Sequence, residues 1–150
     1  MKYGLDIENK VVSSYVNESL IKNRHSVVNF QEDSNKLFGE VLFRKALLAN
    51  QTRVDLYINV ESQKSEVDLM DIYVSKDERI LDFLVKFKDK MKSIGFDEVN
   101  VKDGSSLYLC KKIKAPSLII RIKSRAIDIG AKEFEKELAD WLINIFSERV

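Results

Sequence analysis

Apolar positions along this 150-residue chain switch repeatedly between two spacings, one suited to strands and one to helices. Tyr3-Gly4-Leu5-Asp6-Ile7 reads as a first strand. Val12, Val16 and Leu20 then fall four apart, which places them on one helical face. Residues 26–30 form a short second strand, and Asp33 or Ser34 can cap a second helix that carries Phe38, Leu42, Ala46 and Ala49 on one side. Residues 54–60 read as a third strand, mostly apolar as a buried strand tends to be, and residues 67–74 as a fourth. Ser75 is placed to cap a long amphipathic helix with Ile80, Leu84, Phe87, Met91 and Ile94 in register, and Gly95 to stop it. Asp103-Gly104 marks a turn, residues 107–109 and 118–122 read as further strands, and a closing helix bears Phe134, Leu138, Trp141 and Ile145.

This alternation predicts an α/β fold: one three-layer domain over residues 1–150, with a mostly parallel, twisted sheet of about five or six strands between helices. No linker, repeat or low-complexity stretch divides it. Composition narrows the function rather than the fold. Lys plus Arg number 25 and Asp plus Glu 24, a net charge of +1, so no electrostatic footprint for nucleic acid or an anionic membrane is expected. A single cysteine, Cys110, lies in an apolar run and is expected to be a buried small hydrophobe. There is no signal-peptide pattern and no apolar run of membrane-spanning length, so a cytoplasmic location is expected.

Familiar chemical motifs are missing. The sequence has no glycine-rich phosphate loop, no C-x-x-C and no H-E-x-x-H, and its one histidine, His25, has no second ligand near it. A structural or surface role is expected for His25.

Several segments, in order, resemble the zinc-dependent N-acetylmuramoyl-L-alanine amidases (type 3), which cleave the bond between N-acetylmuramic acid and L-alanine in peptidoglycan. The opening Met1-Lys2-Tyr3-Gly4-Leu5-Asp6-Ile7 is similar to the family's first strand, which runs into Gly-His-Asn or Gly-His-Gly. Arg44 through Asn50 and then Asp55-Leu56-Tyr57-Ile58-Asn59-Val60 resemble its arginine-bearing helix and the strand ending in Ser-Ile-His-x-Asn. Ile94-Gly95-Phe96, Val101-Lys102-Asp103-Gly104-Ser105-Ser106-Leu107-Tyr108-Leu109 and Lys114-Ala115-Pro116-Ser117-Leu118-Ile119-Ile120 resemble the segments that lead to its last strand.

The resemblance implies a zinc ion held by a histidine after the first strand, a glutamate in the following loop and a histidine at the end of the third strand. A further glutamate on the last strand handles the proton of the attacking water. That is the minimum for the chemistry: three protein ligands, an open position and a base. Here the first histidine position holds Asn9, the second holds Glu61, the glutamate-bearing loop is missing, and Arg121 stands at the catalytic glutamate's position. An amide and one carboxylate are poor zinc donors, and a guanidinium is protonated at every relevant pH.

The degenerate site leads to an expected ion pair between Glu61 and Arg121, with the arginine supplying charge that zinc once supplied. It also leads to an expected function: a catalytically inactive homologue, without cofactor, acting as a binding or regulatory protein linked to peptidoglycan or cell lysis. Its partner would be an active amidase, another lysis component or a peptidoglycan fragment. Lack of an export signal resembles phage-type lysis enzymes, which reach the wall through a separate pore. The alternative is an active amidase with an unusual hard-metal site built from Asp6, Glu8, Glu61 and Glu66.

Overall fold

The computed structural model describes residues 1–30, 38–75, 77–93, 95–125, 136, 138–140 and 143. Asp33, Ser34, Ile94, Phe134, Trp141 and Ile145, and the side chain of Phe38, lie outside the described residues. The elements in chain order are β1 (Lys2–Ile7), α1 (Lys10–Lys22), β2 (Ser26–Asn29), α2 (Phe38–Thr52), β3 (Leu56–Lys64), β4 (Leu69–Val74), α3 (Glu78–Ser93), β5 (Glu98–Asp103), α4 (Tyr108–Lys112) and β6 (Ser117–Ser124).

Six strands form one sheet in the order β2-β1-β3-β6-β4-β5. β2, β1, β3 and β6 run parallel, β4 lies antiparallel to β6, and β5 is parallel to β4. β1 is followed through α1 by a neighbour on one side, and the chain then places β3 on its other side. That reversal opens a crevice beyond the carboxyl ends of β1 and β3, where α/β sheets commonly bind ligands.

Helices cover both faces. On one, Val12, Val16 and Leu20 of α1 and Ile80, Leu84, Phe87 and Met91 of α3 pack on Leu5, Ile58, Ile72, Leu118 and Ile120. On the other, Ala46 and Ala49 of α2 and Leu109 and Cys110 of α4 pack on Tyr57 and Ile119. Each large side chain fully buried in these layers contributes about 1.5–3 kcal/mol, and together they offset the entropy lost on folding. Gly4 has a packing role: a Cβ there would lie 2.9 Å from the Phe30 ring, which meets Tyr57 edge-on at 5.1 Å between centroids.

Several boundaries differ from the sequence reading. Residues 107–109 are not a strand: Leu107 is the N-cap of the short helix α4, and three consecutive apolar residues suit a buried helical turn equally well. Ser75 does not cap α3. Its hydroxyl accepts from the Ser117 backbone N–H at 2.7 Å, tying β4 to β6, while the carboxylate of Asp77 accepts from the Ile80 N–H at 3.3 Å. β3 runs on to Lys64, beyond the apolar run that predicted it, so Glu61 lies within the strand. β5 is an additional strand; its pattern Glu-Val-Asn-Val-Lys-Asp alternates, but with only two apolar residues.

Candidate functional site

The crevice is built around one buried carboxylate. Asp6, near the carboxyl end of β1, is 5% exposed, and Lys45 from α2 is 6% exposed. Lys45 Nζ lies 2.8 Å from Asp6 Oδ2. The same oxygen accepts from the Tyr57 hydroxyl at 2.5 Å and from Asn59 Nδ2 at 2.9 Å. Parallel pairing of β1 with β3 sets Asp6 opposite Asn59, which is why the amide reaches it. A buried ion pair of this kind is costly to break, about 3–5 kcal/mol when one partner is removed, because the other charge is left uncompensated. Burial first, and then the Asp6 carboxylate, push the Tyr57 phenol far above its ordinary range, so it remains a hydrogen-bond donor. Asn59 is 2% exposed, and its Oδ1 has no hydrogen-bond partner among the described residues.

Above this floor lies a cleft of about 670 Å³, whose lining includes Glu8, Ser13, Asn17, Asn29, Asn59 and Glu61. Next to it is a second cleft of about 470 Å³ over the exposed part of the sheet, lined among others by Glu8, Glu61, Tyr73, Arg121 and Lys123. Glu8 and Glu61 line both, so the two form one trough.

A polar row crosses the sheet along the second cleft. Glu61 on β3 pairs in register with Arg121 on β6, Arg121 with Asp71 on β4, and Asp71 with Asn100 on β5. Arg121 Nε lies 4.0 Å from Glu61 Oε2, with the two side chains 44% and 46% exposed. This is an ion-pair distance but too long for the direct charge-assisted hydrogen bond of about 2.8 Å. The guanidinium carbon lies 5.1 Å from the centroid of the Tyr73 ring, and Lys102 Nζ lies 5.5 Å from the same centroid. Lys102 also pairs with Asp71 at 3.3 Å, and Asn100 Nδ2 donates to that carboxylate at 3.1 Å. Partial burial is the main influence on Glu61 and raises its pKa; Arg121 and Lys45 pull it back, while Glu8 and Asp6 add to the rise.

Asn9 and Glu61, which the sequence resemblance aligns with metal positions, are poorly disposed to hold a zinc ion. Asn9 is the N-cap of α1, and its Oδ1 accepts from the backbone N–H groups of Val11 at 3.0 Å and Val12 at 3.2 Å. Its oxygen is therefore already committed to the helix. Only Glu8 and Asn9 separate β1 from α1. Glu61 faces a guanidinium where a metal would need open donors. Among the described residues, no group of three or more His, Cys, Asp and Glu is placed to hold a metal ion.

The hard-oxygen set weighed from sequence is also divided. Asp6 Oδ2 is occupied by three donors, and Glu66 lines neither cleft, while Glu8 and Glu61 share the trough. His25 meets Tyr3 edge-on at 5.3 Å, well away from this chemistry, and burial lowers its pKa. Cys110 is buried, and burial pushes its thiol up to about 11, which leaves it unreactive as a nucleophile at neutral pH.

Sequence reasoning singled out Asp6 only as a possible metal ligand and passed over Lys45, Tyr57 and Asn59. A signal was present: Lys45 is three residues beyond Leu42 and four before Ala49, on the apolar stripe of α2, where an unpaired lysine would be costly.

No protein-family model matches the chain, and no curated protein matches it. Among solved structures, it is similar to the catalytic domain of the CD27L endolysin, which targets Clostridia difficile. That match has a TM-score of 0.75 and 15% identity, covering 99% of this chain and 97% of the other. The catalytic domain of CwlV, an N-acetylmuramoyl-L-alanine amidase from Bacillus (Paenibacillus) polymyxa var. colistinus, gives a TM-score of 0.68 at 11% identity, covering 99% and 97%. The CwlD amidase from Clostridioides difficile, in complex with the GerS lipoprotein, gives a TM-score of 0.64 at 16% identity, covering 99% and 96%. The fold is thus that of N-acetylmuramoyl-L-alanine amidase catalytic domains, over nearly the whole chain.

Proposed function

We propose that this chain is a catalytically inactive homologue of the N-acetylmuramoyl-L-alanine amidases, acting as a binding or regulatory protein linked to peptidoglycan or cell lysis. The observation that carries the reading is the state of three side chains. Asn9 is spent on capping α1, Glu61 lies beside a guanidinium, and Arg121, which the sequence resemblance aligns with the family's base, is that guanidinium. Metal-assisted hydrolysis needs three ligands, an open position for water and a proton acceptor. A permanently protonated guanidinium can neither accept that proton nor tolerate a nearby divalent cation.

The trough itself remains open, so recognition is the capacity that this geometry supports. A protein partner has support by analogy, since the similar CwlD is held in complex with a lipoprotein. The same analogy with lysis enzymes suggests synthesis in the cytoplasm and release to the wall through a separate pore.

The test is a cleavage assay. Purified protein is incubated with peptidoglycan and added zinc, and newly freed L-alanine amino groups are counted against an active amidase. No rise above the protein-free control is expected, either for this chain or for a variant combining Asn9→His, Glu61→His and Arg121→Glu. The variant stays inactive because it restores two histidines and the base but not the third ligand. A steady release by the unaltered chain would overturn the reading.

A further inference from the structure

β6 presents Arg121 and Lys123 on one face, since residues two apart in a strand point the same way and lie about 7 Å apart. Both line the second cleft. Among the described residues neither donates a hydrogen bond to a carboxylate: Arg121 has only the 4.0 Å approach to Glu61, and Asp71 is taken by Lys102 and Asn100. The guanidinium is nevertheless held in place, with its carbon 5.1 Å from the Tyr73 ring centroid. A cation–π contact with an aromatic ring holds the guanidinium near the sheet while leaving N–H groups open to a planar anion. Glu61 lies beside Arg121 at 4.0 Å, and Glu8, also acidic, lines the same trough.

We propose that Arg121, braced by Tyr73 and assisted by Lys123, is a receptor for the carboxylate of a zwitterionic peptide, whose ammonium group faces Glu8 and Glu61. The arrangement favours such a ligand over a simple anion. A bidentate arginine–carboxylate contact is short, directional and stronger than a neutral hydrogen bond. The acidic side of the trough repels an anion that brings no compensating positive charge. A long, half-exposed pair such as Glu61 and Arg121 is weak, so Arg121 can engage a ligand without first breaking a hydrogen bond. This inference rests on reading the trough as a recognition surface rather than a metal centre.

The experiment follows the Arg121 Nε–H and Tyr73 ring resonances of the full chain by NMR. Three probes are added in turn: trialanine with free ends, its C-terminal amide, and inorganic phosphate. Saturable shifts with trialanine in the millimolar range are expected, at least tenfold weaker with the amide and with phosphate. Arg121→Gln should abolish saturation at Tyr73, and Tyr73→Leu, which keeps the charge but removes the brace, should weaken binding several-fold. Equal shifts from the amide or from phosphate, no saturation with trialanine, or unchanged binding by Arg121→Gln would each overturn the proposal. A parallel zinc titration separates the two readings. Zinc binding would overturn the inactive-site reading while the peptide result stood, and a failed peptide titration without zinc binding would remove only this inference.

Discussion

At the scale of single residues, burial and charge pull Glu61 in opposite directions, and burial prevails. Its folded pKa is therefore raised above the unfolded value of roughly 4.3. The sign of the linkage follows. Glu61 adds stability that is fully present below the unfolded pKa and is lost as pH rises through the raised folded value. Near neutral pH the ionised carboxylate is thus a burden, eased but not removed by Arg121. A carbon-detected NMR titration should place the Glu61 midpoint above that of an ordinary glutamate and move it higher still in Arg121→Gln. A midpoint below the ordinary range would mean that Arg121 outweighs burial. Asp68 shows the opposite case: backbone and side-chain hydrogen bonds from Arg125 hold its carboxyl below the usual range. Its contribution is present above the unfolded pKa and lost as pH falls through the folded one.

Among the elements, α3 shows how a helix end is written into one residue. Phe96 N–H donates to the Met91 carbonyl and Gly95 N–H to that of Lys92, each at 3.3 Å, the paired bonds of a Schellman stop. Gly95 has φ of 122°, a conformation that side chains resist, and a Cβ there would meet nothing within 4 Å. Gly95→Ala should therefore lower stability by about 1–2 kcal/mol through backbone strain alone. Urea unfolding would read this as a lower midpoint with an unchanged slope, and an unchanged midpoint would contradict it. Gly95 was legible in the sequence because an amphipathic run ends directly on it. α4 was not, since Leu107-Tyr108-Leu109 has no period long enough to separate a helical turn from a strand. β5 escaped because an edge strand with one neighbour needs few apolar residues: Val99 is buried, whereas Val101 is exposed.

For the molecule as a whole, the sheet converts distant sequence into one trough. Asp6 and Asn59 meet because β1 and β3 pair in parallel, and Glu61, Arg121 and Asp71 align because β6 lies between β3 and β4. The α/β architecture was readable from periodicity, and the amidase fold from the ordered resemblance of its segments. The Asp6–Lys45 floor was not, because 39 residues separate its partners and only the folded sheet and α2 bring them together.

The central claim is that this amidase fold no longer holds zinc. Calorimetric titration of zinc into the purified, metal-stripped protein at neutral pH tests it most directly. No binding below millimolar zinc is the predicted result. A one-to-one complex at micromolar affinity or tighter would contradict the account and return the trough to the status of a working metal centre.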